Sequence, residues 1–257
     1  MGESHACLVG SVAAATLFGF GEDCLTDAHV HLDFMTNARA VAADAAARGI
    51  CLFANTVTPE GYQRMTDSVI DLPNVCVGLG LHPRWIADGK AGESEVAFFE
   101  DAARATRWIG EVGLDFSSRY VQGDGRARQL AAFERIARAC AREEGRVLSI
   151  HAVRSVSTVL DVLESAGCLE RCQCILHWFS GSTDELWRAI RGGCCFSVNE
   201  RQARTRRAKE QLKLIPLDHM LLETDLPPEE DVMYSVAEIE ASLLRARTTV
   251  EEILHRV

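Results

Sequence analysis

The chain has 257 residues, of which 47% are hydrophobic and 25% are charged. This composition excludes a disordered, collagen-like or coiled-coil chain, because it contains enough apolar residues to form a core. The formal net charge of −10 excludes a protein that coats nucleic acid with its whole surface, because phosphate binding requires clustered Lys and Arg. A local basic groove, or a site in which metal ions supply the positive charge, is compatible with it.

Short apolar or β-branched runs alternate along the chain with longer Ala-, Arg- and Glu-rich segments of helical period. Residues 1–24 are predicted to be an N-terminal extension, and residues 25–257 a single domain. The predicted strands cover residues 25–31, 50–57, 75–81, 108–112, 147–151, 174–177, 194–198 and 220–223. Each is followed by a predicted helix, over residues 37–48, 62–70, 94–106, 126–144, 156–165, 184–191, 203–214 and 237–254.

Strands that alternate with helices pair in parallel, because each crossover returns the chain to the same end of the sheet. Eight strand–helix units in about 230 residues are typical of a (β/α)8 TIM barrel. A doubly wound sheet is the alternative, but no GxGxxG pattern follows the first predicted strand. The sequence therefore predicts an α/β protein built as one (β/α)8 barrel.

Three features bear on the compartment. Residues 7–20 are apolar, but no Lys or Arg precedes them, which disfavours a secretory signal. No run reaches the roughly 18 consecutive apolar residues that a transmembrane helix requires. The ten cysteines match no common zinc pattern and are interpreted as buried or incidental thiols. We therefore expect a cytoplasmic, monomeric protein with no membrane partner.

Five of the eight histidines lie at the ends of predicted strands, where the chemistry of a (β/α)8 barrel is located. They are His29, His31, His82, His151 and His177. His29 and His31 are two residues apart, so strand alternation points both side chains into the barrel mouth. The pattern predicts a metal site. The remaining histidines are interpreted as structural: His5, His219 and His255.

Carboxylates follow the same rule. Glu111 ends the fourth predicted strand, and Asp225 follows the eighth. An isolated carboxylate at a strand end is commonly a helix cap, and for Asp33 and Asp115 both interpretations stay open. Glu111 and Asp225 are interpreted as metal ligands, because uncompensated charge at a closed barrel top is costly and cations would relieve it.

Six motifs of this sequence resemble, in order, those of the TatD family of metal-dependent deoxyribonucleases. They are TDAHVHL at 26–32, GLGLHP at 78–83, GEVGLD at 110–115, SIH at 149–151, LHWFSG at 176–181 and LETD at 222–225. The SIH and LHWFSG segments are also similar to the TatD-like component of Qat anti-phage systems.

The resemblance implies a site with two divalent ions, which could be Mg, Mn, Zn or Co. The implied ligands are His29, His31 and Asp225 for one ion, and His151 and His177 for the other, with Glu111 bridging the two. Asp225 would also orient or deprotonate the attacking water, and His82 would contact a phosphate rather than a metal. The implied substrate is DNA, with cleavage from single-stranded ends in the 3′ to 5′ direction.

The chemistry required of such a site agrees with these residue types. Phosphodiester hydrolysis needs hydroxide at neutral pH and a counter-charge for the phosphate oxygens. Two ions about 3.5–4 Å apart supply both, and a bridging carboxylate such as Glu111 would fix their separation. His82, which precedes Pro83, could donate a charge-assisted hydrogen bond to phosphate, and a capping or packing role is the alternative.

The chain departs from the family pattern at two places. Val153 stands where the family usually has arginine, two residues after the histidine of the fifth strand, and Arg154 follows it. The loop at 226–231 is acidic where the family usually carries Arg and Asn. Both departures bear on the affinity for nucleic acid.

Two further segments have alternative interpretations. A basic run after the seventh strand could follow a nucleic-acid backbone or form a solvated helix face. It consists of Arg201, Arg204, Arg206, Arg207 and Lys209. Trp178 and Phe179 could stack on a base or pack in the core.

Three functions are compatible with the pattern. The first is a metal-dependent phosphodiester hydrolase, a DNA exonuclease. The second is a metal-dependent amidohydrolase or lactonase acting on a small cyclic substrate, because one fold hosts several chemistries. No lysine follows the fourth or fifth strand to form a carbamylated bridge, and Glu111 takes that place, which favours the nuclease. The third is a binding module without catalysis, which the complete ligand set disfavours.

Overall fold

The computed structural model describes residues 9–21 and 23–255. The predicted N-terminal extension is therefore described only in part, and His5 lies outside the described residues. Residues 9–21 contain a helix, α1 (Ser11–Phe18), that was not predicted from the sequence. The prediction of one domain over residues 25–257 stays a prediction.

Strands and helices alternate along the described chain as predicted. The strands are β1 (Leu25–Val30), β2 (Ile50–Asn55), β3 (Val75–Gly78), β4 (Trp108–Asp115), β5 (Val147–Val153), β6 (Gln173–His177), β7 (Cys195–Val198) and β8 (Met220–Leu222). The first helices after α1 are α2 (Ala38–Ala47), α3 (Pro59–Val69), α4 (Pro83–Ala87), α5 (Glu93–Ala102) and α6 (Gly125–Cys140). They are followed by α7 (Val156–Ala166), α8 (Cys168–Arg171), α9 (Thr183–Arg191), α10 (Glu200–Ala203), α11 (Arg206–Leu212) and α12 (Val236–His255).

The strands pair in parallel in chain order, β1 to β3 in one sheet and β4 to β8 in another. Backbone hydrogen bonds join the two sheets at both seams. Leu79 N–H donates to the carbonyl of Trp108 at 3.0 Å, and Asp225 N–H donates to that of His29 at 2.9 Å. The eight strands thus form a ring, and the predicted (β/α)8 barrel is confirmed.

Two glycines allow a close approach of β2, β3 and β4 beneath the site. A Cβ atom on Gly80 would lie 1.5 Å from the carbonyl oxygen of Thr56, and one on Gly110 would lie 1.8 Å from Oδ1 of Asn55. A side chain at position 80 would therefore displace the backbone of Thr56, and one at position 110 would displace the buried Asn55 side chain, so both positions favour glycine. The approach lets Glu111 N–H donate to the Thr56 carbonyl at 2.8 Å, which fixes the backbone of a predicted ligand.

Helix α1 covers the end of the barrel opposite the histidines. Its residue Phe18 is buried, with its ring centroid 5.2 Å from that of Phe53 and 5.8 Å from that of Trp108. Trp108 is the first residue of β4, whereas the predicted ligands lie at or beyond the middle of their strands. Helix α1 therefore closes the N-terminal end of the barrel, away from the site.

The helix predicted over residues 203–214 corresponds to α11, which begins later than predicted and is preceded by the short helix α10. Between α10 and α11, Thr205 accepts a hydrogen bond from Ala208 N–H at 3.2 Å. Thr205 is therefore the N-cap of a new helix, a role that threonine favours because its side chain competes with helical backbone bonding. Asn199 caps α10 in the same way, through Gln202 N–H at 2.9 Å.

The cysteines of the described chain are free thiols, and all but Cys24 are buried, which agrees with their interpretation as incidental. Within residues 9–21 and 23–255, no helix is both long enough and apolar enough to cross a membrane.

Candidate metal centre

The six predicted metal ligands come together at the C-terminal mouth of the barrel. Three overlapping groups each place their nitrogen and oxygen atoms within 4.8 Å of one another. The groups are His29, His177 and Asp225; His29, His31 and Glu111; and His82, Glu111 and His151. All of these side chains except Asp225 are buried. Residues separated by up to two hundred positions therefore form one polar cluster.

The carboxylate of Glu111 lies at the centre of this cluster. Its Oε2 atom is 3.4 Å from Nε2 of His31 and 3.6 Å from Nε2 of His29. Its Oε1 atom is 2.6 Å from Nδ1 of His151 and 2.9 Å from Nε2 of His177. Each oxygen thus faces one histidine pair, as a carboxylate that bridges two cations must.

Asp225 completes the side of the cluster that faces solvent. Its Oδ1 atom lies 3.4 Å from Nε2 of His31, and its side chain is 22% exposed. Its φ of 56° is in the left-handed region, which aspartate tolerates better than most residues and which is often held at functional sites. Although burial raises its pKa, the hydrogen bond with His31 and the neighbouring histidines lower it to about 2.

Hydrogen bonds on the far side of each ring orient the first histidine pair. Nδ1–H of His31 donates to the backbone carbonyl of Asn55 at 3.1 Å, and Nδ1 of His29 is hydrogen-bonded to Ser149 Oγ at 2.7 Å. Such outer bonds typically fix the tautomer of a metal-binding histidine. The Nε2 atoms of the two rings lie 3.3 Å apart, so a single cation could contact both.

Glu223 lies beside His177 and was missed in the sequence. Its Oε2 atom lies 3.6 Å from Nδ1 of His177, which has no hydrogen-bond partner among the described residues. The carboxylate is fully buried and accepts hydrogen bonds from Ser197 Oγ at 2.5 Å and Asn199 Nδ2 at 2.9 Å. The only sequence signal was its place in the LETD motif, two residues before Asp225.

His82 differs from the other four histidines. Its Nδ1 atom accepts a hydrogen bond from Arg84 N–H at 3.1 Å, which caps α4. Burial lowers its pKa to about 4, so the ring is neutral and carries its proton on Nε2. This Nε2–H group points to Oε1 of Glu111 at 3.4 Å. A protonated nitrogen donates a hydrogen bond but does not bind a metal.

Of the two carboxylates with open interpretations, Asp115 touches the cluster. Its Oδ2 atom lies 3.3 Å from Nε2 of His151 and accepts a hydrogen bond from Arg84 Nε at 3.0 Å. Burial opposes its ionisation, but hydrogen bonds from His151 and Ser117 hold its pKa below the usual range. Asp33 accepts a hydrogen bond from Val57 N–H at 3.1 Å through Oδ2, and its Oδ1 atom lies 3.7 Å from Nδ1 of His31, so it also borders the cluster.

The electrostatics of the cluster match a bound cation. Burial opposes the ionisation of Glu111, but the charges of His177 and His151 and the hydrogen bond from His151 hold its pKa well below the usual range. Burial likewise opposes protonation of His31 and His177, but Asp225 and Glu111 respectively raise their pKa well above the usual range. Protons on these rings are the counter-charges for the buried carboxylates. The donors are nitrogen and oxygen without thiolate, a set that fits Mg, Mn, Zn or Co.

The remaining predicted residues fall outside this cluster. Phe179 is buried and packs edge-on against Phe196, with ring centroids 5.5 Å apart, so it belongs to the core. Within the basic run, Arg201 lines the cleft above the cluster, and Arg204 pairs with Glu200 at 2.5 Å. Arg154 is exposed and is not among the described residues that line this cleft.

A cluster of histidines and carboxylates at the mouth of a (β/α)8 barrel defines a metal-dependent hydrolase. Residues 26–254 match the sequence model of the family described as "TatD related DNase". The chain belongs to this family, as its six motifs predicted, and it is a hydrolase of that family.

Sequence relatives and solved structures agree with this assignment. The chain is 27% identical over 238 residues to the metal-dependent hydrolase YcfH of Escherichia coli, covering 86% of this chain and 84% of the relative. It is 27% identical to the putative deoxyribonuclease tatdn3-B of Xenopus laevis, covering 81% of this chain and 80% of the relative.

Two solved structures share the fold. They are the TatD homologue YjjV of E. coli, with a TM-score of 0.69 at 20% identity, and a TatD family hydrolase of Entamoeba histolytica, with a TM-score of 0.70 at 16% identity. The matches cover 91% and 90% of this chain, and 96% and 91% of those chains, respectively.

Proposed function

We propose that the protein is a phosphodiester hydrolase with two metal ions, which removes nucleotides from DNA ends in the 3′ to 5′ direction. The observation that carries this proposal is the division of the Glu111 carboxylate, with one oxygen toward each histidine pair. The ligands are His29, His31 and Asp225 for one ion, and His151 and His177 for the other, with Glu111 shared.

When bound, two divalent ions would lower the pKa of water and neutralise charge on the attacking and leaving oxygens. The residues of the chain supply position and proton transfer. Asp225 is ionised and partly exposed to the cleft, so its carboxylate can accept a hydrogen bond from the attacking water and orient it toward the phosphate. Glu223 and Asp115 hold the rings of His177 and His151 in place.

His82 is assigned to the substrate rather than to a metal. Its Nδ1 lone pair is used by Arg84 N–H, so its Nε2–H remains as a donor at the edge of the cluster. In the complex this group would donate a hydrogen bond to a non-bridging oxygen of the phosphate and stabilise the charge that develops there. Capping of α4 and donation to phosphate are thus two functions of one ring.

DNA as the substrate is supported by the similarity to the tatdn3-B protein, whose name is that of a deoxyribonuclease. It is also supported by the cleft above the cluster, about 500 Å³ in volume, which Arg84, Lys90 and Arg119 line. Because Asp88, Glu229 and Glu230 also line the cleft, these cations favour a polyanionic substrate over a small neutral amide or lactone only together with bound divalent ions.

The test is a digest of single-stranded, double-stranded and RNA oligonucleotides labelled at the 5′ end. Protein stripped with EDTA is assayed alone and after addition of Mg²⁺, Mn²⁺, Zn²⁺ or Co²⁺, with metal content measured in parallel. We expect a ladder of shortened labelled DNA only with metal; release of labelled mononucleotide would instead show 5′ to 3′ cleavage. Intact DNA under every metal, together with hydrolysis of a lactone or dihydropyrimidine, would establish the amidohydrolase alternative. The Glu111→Gln variant, purified identically, controls for contaminating nuclease.

A further inference from the structure

The cleft above the metal centre has two chemically different sides. One side is formed by α4, the residues that directly follow α4, and the loop after β4. We refer to it as the basic aromatic wall. The wall consists of Arg84, Trp85, Lys90, Arg119 and Tyr120. The other side includes the loop after β8, with Pro227, Pro228, Glu229 and Glu230. Asp88 at the end of α4 and Arg201 also line the cleft, so the wall is enriched in cations and rings, whereas Glu229 and Glu230 belong to the other side.

Cations and rings alternate within the wall. The guanidinium carbons of Arg84 and Arg119 lie 5.4 Å and 5.1 Å from the centroid of the same Tyr120 ring. The ammonium of Lys90 lies 5.3 Å from the centroid of the Trp85 ring. Contacts of this length are within the range of cation–π attraction, which holds the cations against the rings.

Two of these cations have no carboxylate partner. Arg84 pairs with Asp115 at 3.0 Å, but neither Arg119 nor Lys90 forms a salt bridge with any described residue. Both are exposed. In a chain whose formal net charge is −10, these two side chains bring unpaired positive charge to the cleft. Uncompensated positive charge in a cleft attracts an anion from solution.

The wall is continuous with the reacting end of the site. The ring of Trp85 meets that of His82 edge-on, with centroids 5.6 Å apart, and His82 in turn faces Glu111. Arg84 reaches the cluster through Asp115, which contacts His151. A strand whose scissile phosphate lies beside His82 would therefore place the neighbouring nucleotide against this wall.

We propose that the basic aromatic wall binds the nucleotide next to the scissile phosphate of a single-stranded substrate. The guanidinium groups of Arg84 and Arg119 contact its phosphate, and its base stacks on Trp85. This inference rests on the proposed phosphodiesterase function and assigns the residues that select a single strand. An unpaired base can expose its face to an aromatic ring, whereas a base within a duplex is already stacked on its neighbours. The acidic residues Glu229 and Glu230 repel the strand from the opposite side.

The first test measures binding without cleavage. Fluorescence anisotropy of a short labelled oligothymidylate is recorded with EDTA for the wild type and for Arg119→Ala, Lys90→Ala and Trp85→Ala. We expect the Kd to rise about tenfold for Trp85→Ala, and Trp85→Phe to restore most of the affinity because it keeps a stacking face. Arg119→Ala should reduce the slope of log Kd against log salt by about 0.7, the value for one lost phosphate contact on a single strand.

Matched controls locate the strand. Arg104 is exposed, pairs with Asp101 and lies outside the cleft, so Arg104→Ala should leave the Kd within about twofold of the wild type. The double variant Arg206→Ala with Lys209→Ala removes cations from α11. If this double variant weakens binding more than the wall variants, the strand follows α11 and the proposal is overturned.

A second test separates failure of the wall from failure of the proposed function. Bis(p-nitrophenyl) phosphate is a phosphodiester without a neighbouring nucleotide. The ratio of kcat/KM for the oligonucleotide to that for this ester should fall about tenfold in Trp85→Ala, mainly through KM. An unchanged ratio overturns the wall while leaving the phosphodiesterase function intact. If the wild type hydrolyses neither compound with any metal, the proposed function fails, and loss of oligonucleotide binding in the wall variants would then show a strand-binding surface without a scissile phosphate beside it.

Discussion

Oε1 of Glu111 lies 2.6 Å from Nδ1 of His151, while Nε2 of the same ring lies 3.3 Å from Asp115. One imidazole thus stands between two buried carboxylates on the neighbouring strand. Burial opposes its protonation, but Glu111 and Asp115 outweigh burial and raise its pKa. A proton on His151 therefore occupies the electrostatic role that a cation would take. Protons on the histidines and bound cations can therefore replace one another as counter-charges for the buried carboxylates.

Replacing Glu111 with Gln should remove the shared ligand while keeping its shape. The amide offers one oxygen rather than two, so it cannot serve both histidine pairs. We expect kcat for the labelled oligonucleotide to fall by at least about 10³-fold, and the metal content to fall below that of the wild type. Circular dichroism should show a folded barrel. A loss of less than tenfold in a folded variant would remove Glu111 from the mechanism.

Metal affinity should increase with pH above 6.5. The pKa values of His31 and His177 are raised well above 6.5, so metal must displace protons from both rings. Titration calorimetry in two buffers of different protonation enthalpy measures the protons released. A release that is absent at neutral pH would contradict the raised pKa values. His219→Ala should behave as the wild type, because His219 bonds to the Cys194 carbonyl outside the site.

The same shifts affect stability without metal. A histidine whose pKa is raised in the folded state contributes stability that is present below its unfolded pKa and lost as pH rises through the folded pKa. Burial also raises the pKa of Asp27 to about 8, which lowers stability between its unfolded pKa near 3.8 and pH 8. Metal replaces only the histidine protons. The rise in Tm on metal addition should therefore grow with pH above 6.5.

Glu223→Gln should weaken metal binding without removing a ligand. Outer carboxylates that orient metal-binding histidines typically contribute 10- to 100-fold in affinity, so a loss of roughly this size is expected. The Kd for Mn²⁺ or Zn²⁺ measures it directly. Glu240, a half-buried partner of Arg48 outside the site, supplies a matched control, because Glu240→Gln should leave the Kd unchanged. An unchanged Kd in Glu223→Gln would show that Glu223 bonds to Ser197 and Asn199 but does not position His177 for metal.

The sequence specified the barrel and the ligands because both depend on local patterns. Strand alternation places His29 and His31 on one face, and parallel pairing brings the strand ends to one mouth. Glu223 could not be assigned in this way, because its role depends on contacts with β6 and β7 that no short pattern encodes. Helix α1 was missed for a similar reason: its apolar residues are buried by the barrel end rather than by an amphipathic period of their own.

His82→Asn should separate the two functions of His82. Asparagine is a favourable N-cap, so α4 keeps its cap while the Nε2–H donor is lost. We expect the metal content to equal that of the wild type and kcat to fall about 10²-fold or more. A fall in metal content would instead indicate that His82 is a metal ligand, as its distance of 3.4 Å to Oε1 of Glu111 would permit. An unchanged kcat would leave capping as its only role.

Phe18→Ala should destabilise the protein without affecting the site. The buried Phe18 ring packs on Phe53 and Trp108 at the closed end of the barrel. Its removal leaves a cavity and should lower the free energy of unfolding by about 3–5 kcal/mol. Urea unfolding measures this loss, and kcat per folded molecule should stay at the wild-type value, because α1 and the metal centre lie at opposite ends. Val12, on the same helix but 36% exposed, supplies the control Val12→Ala, which should cost less than about 1 kcal/mol. Equal losses in the two variants would show that α1 rests on the barrel surface instead of closing its end.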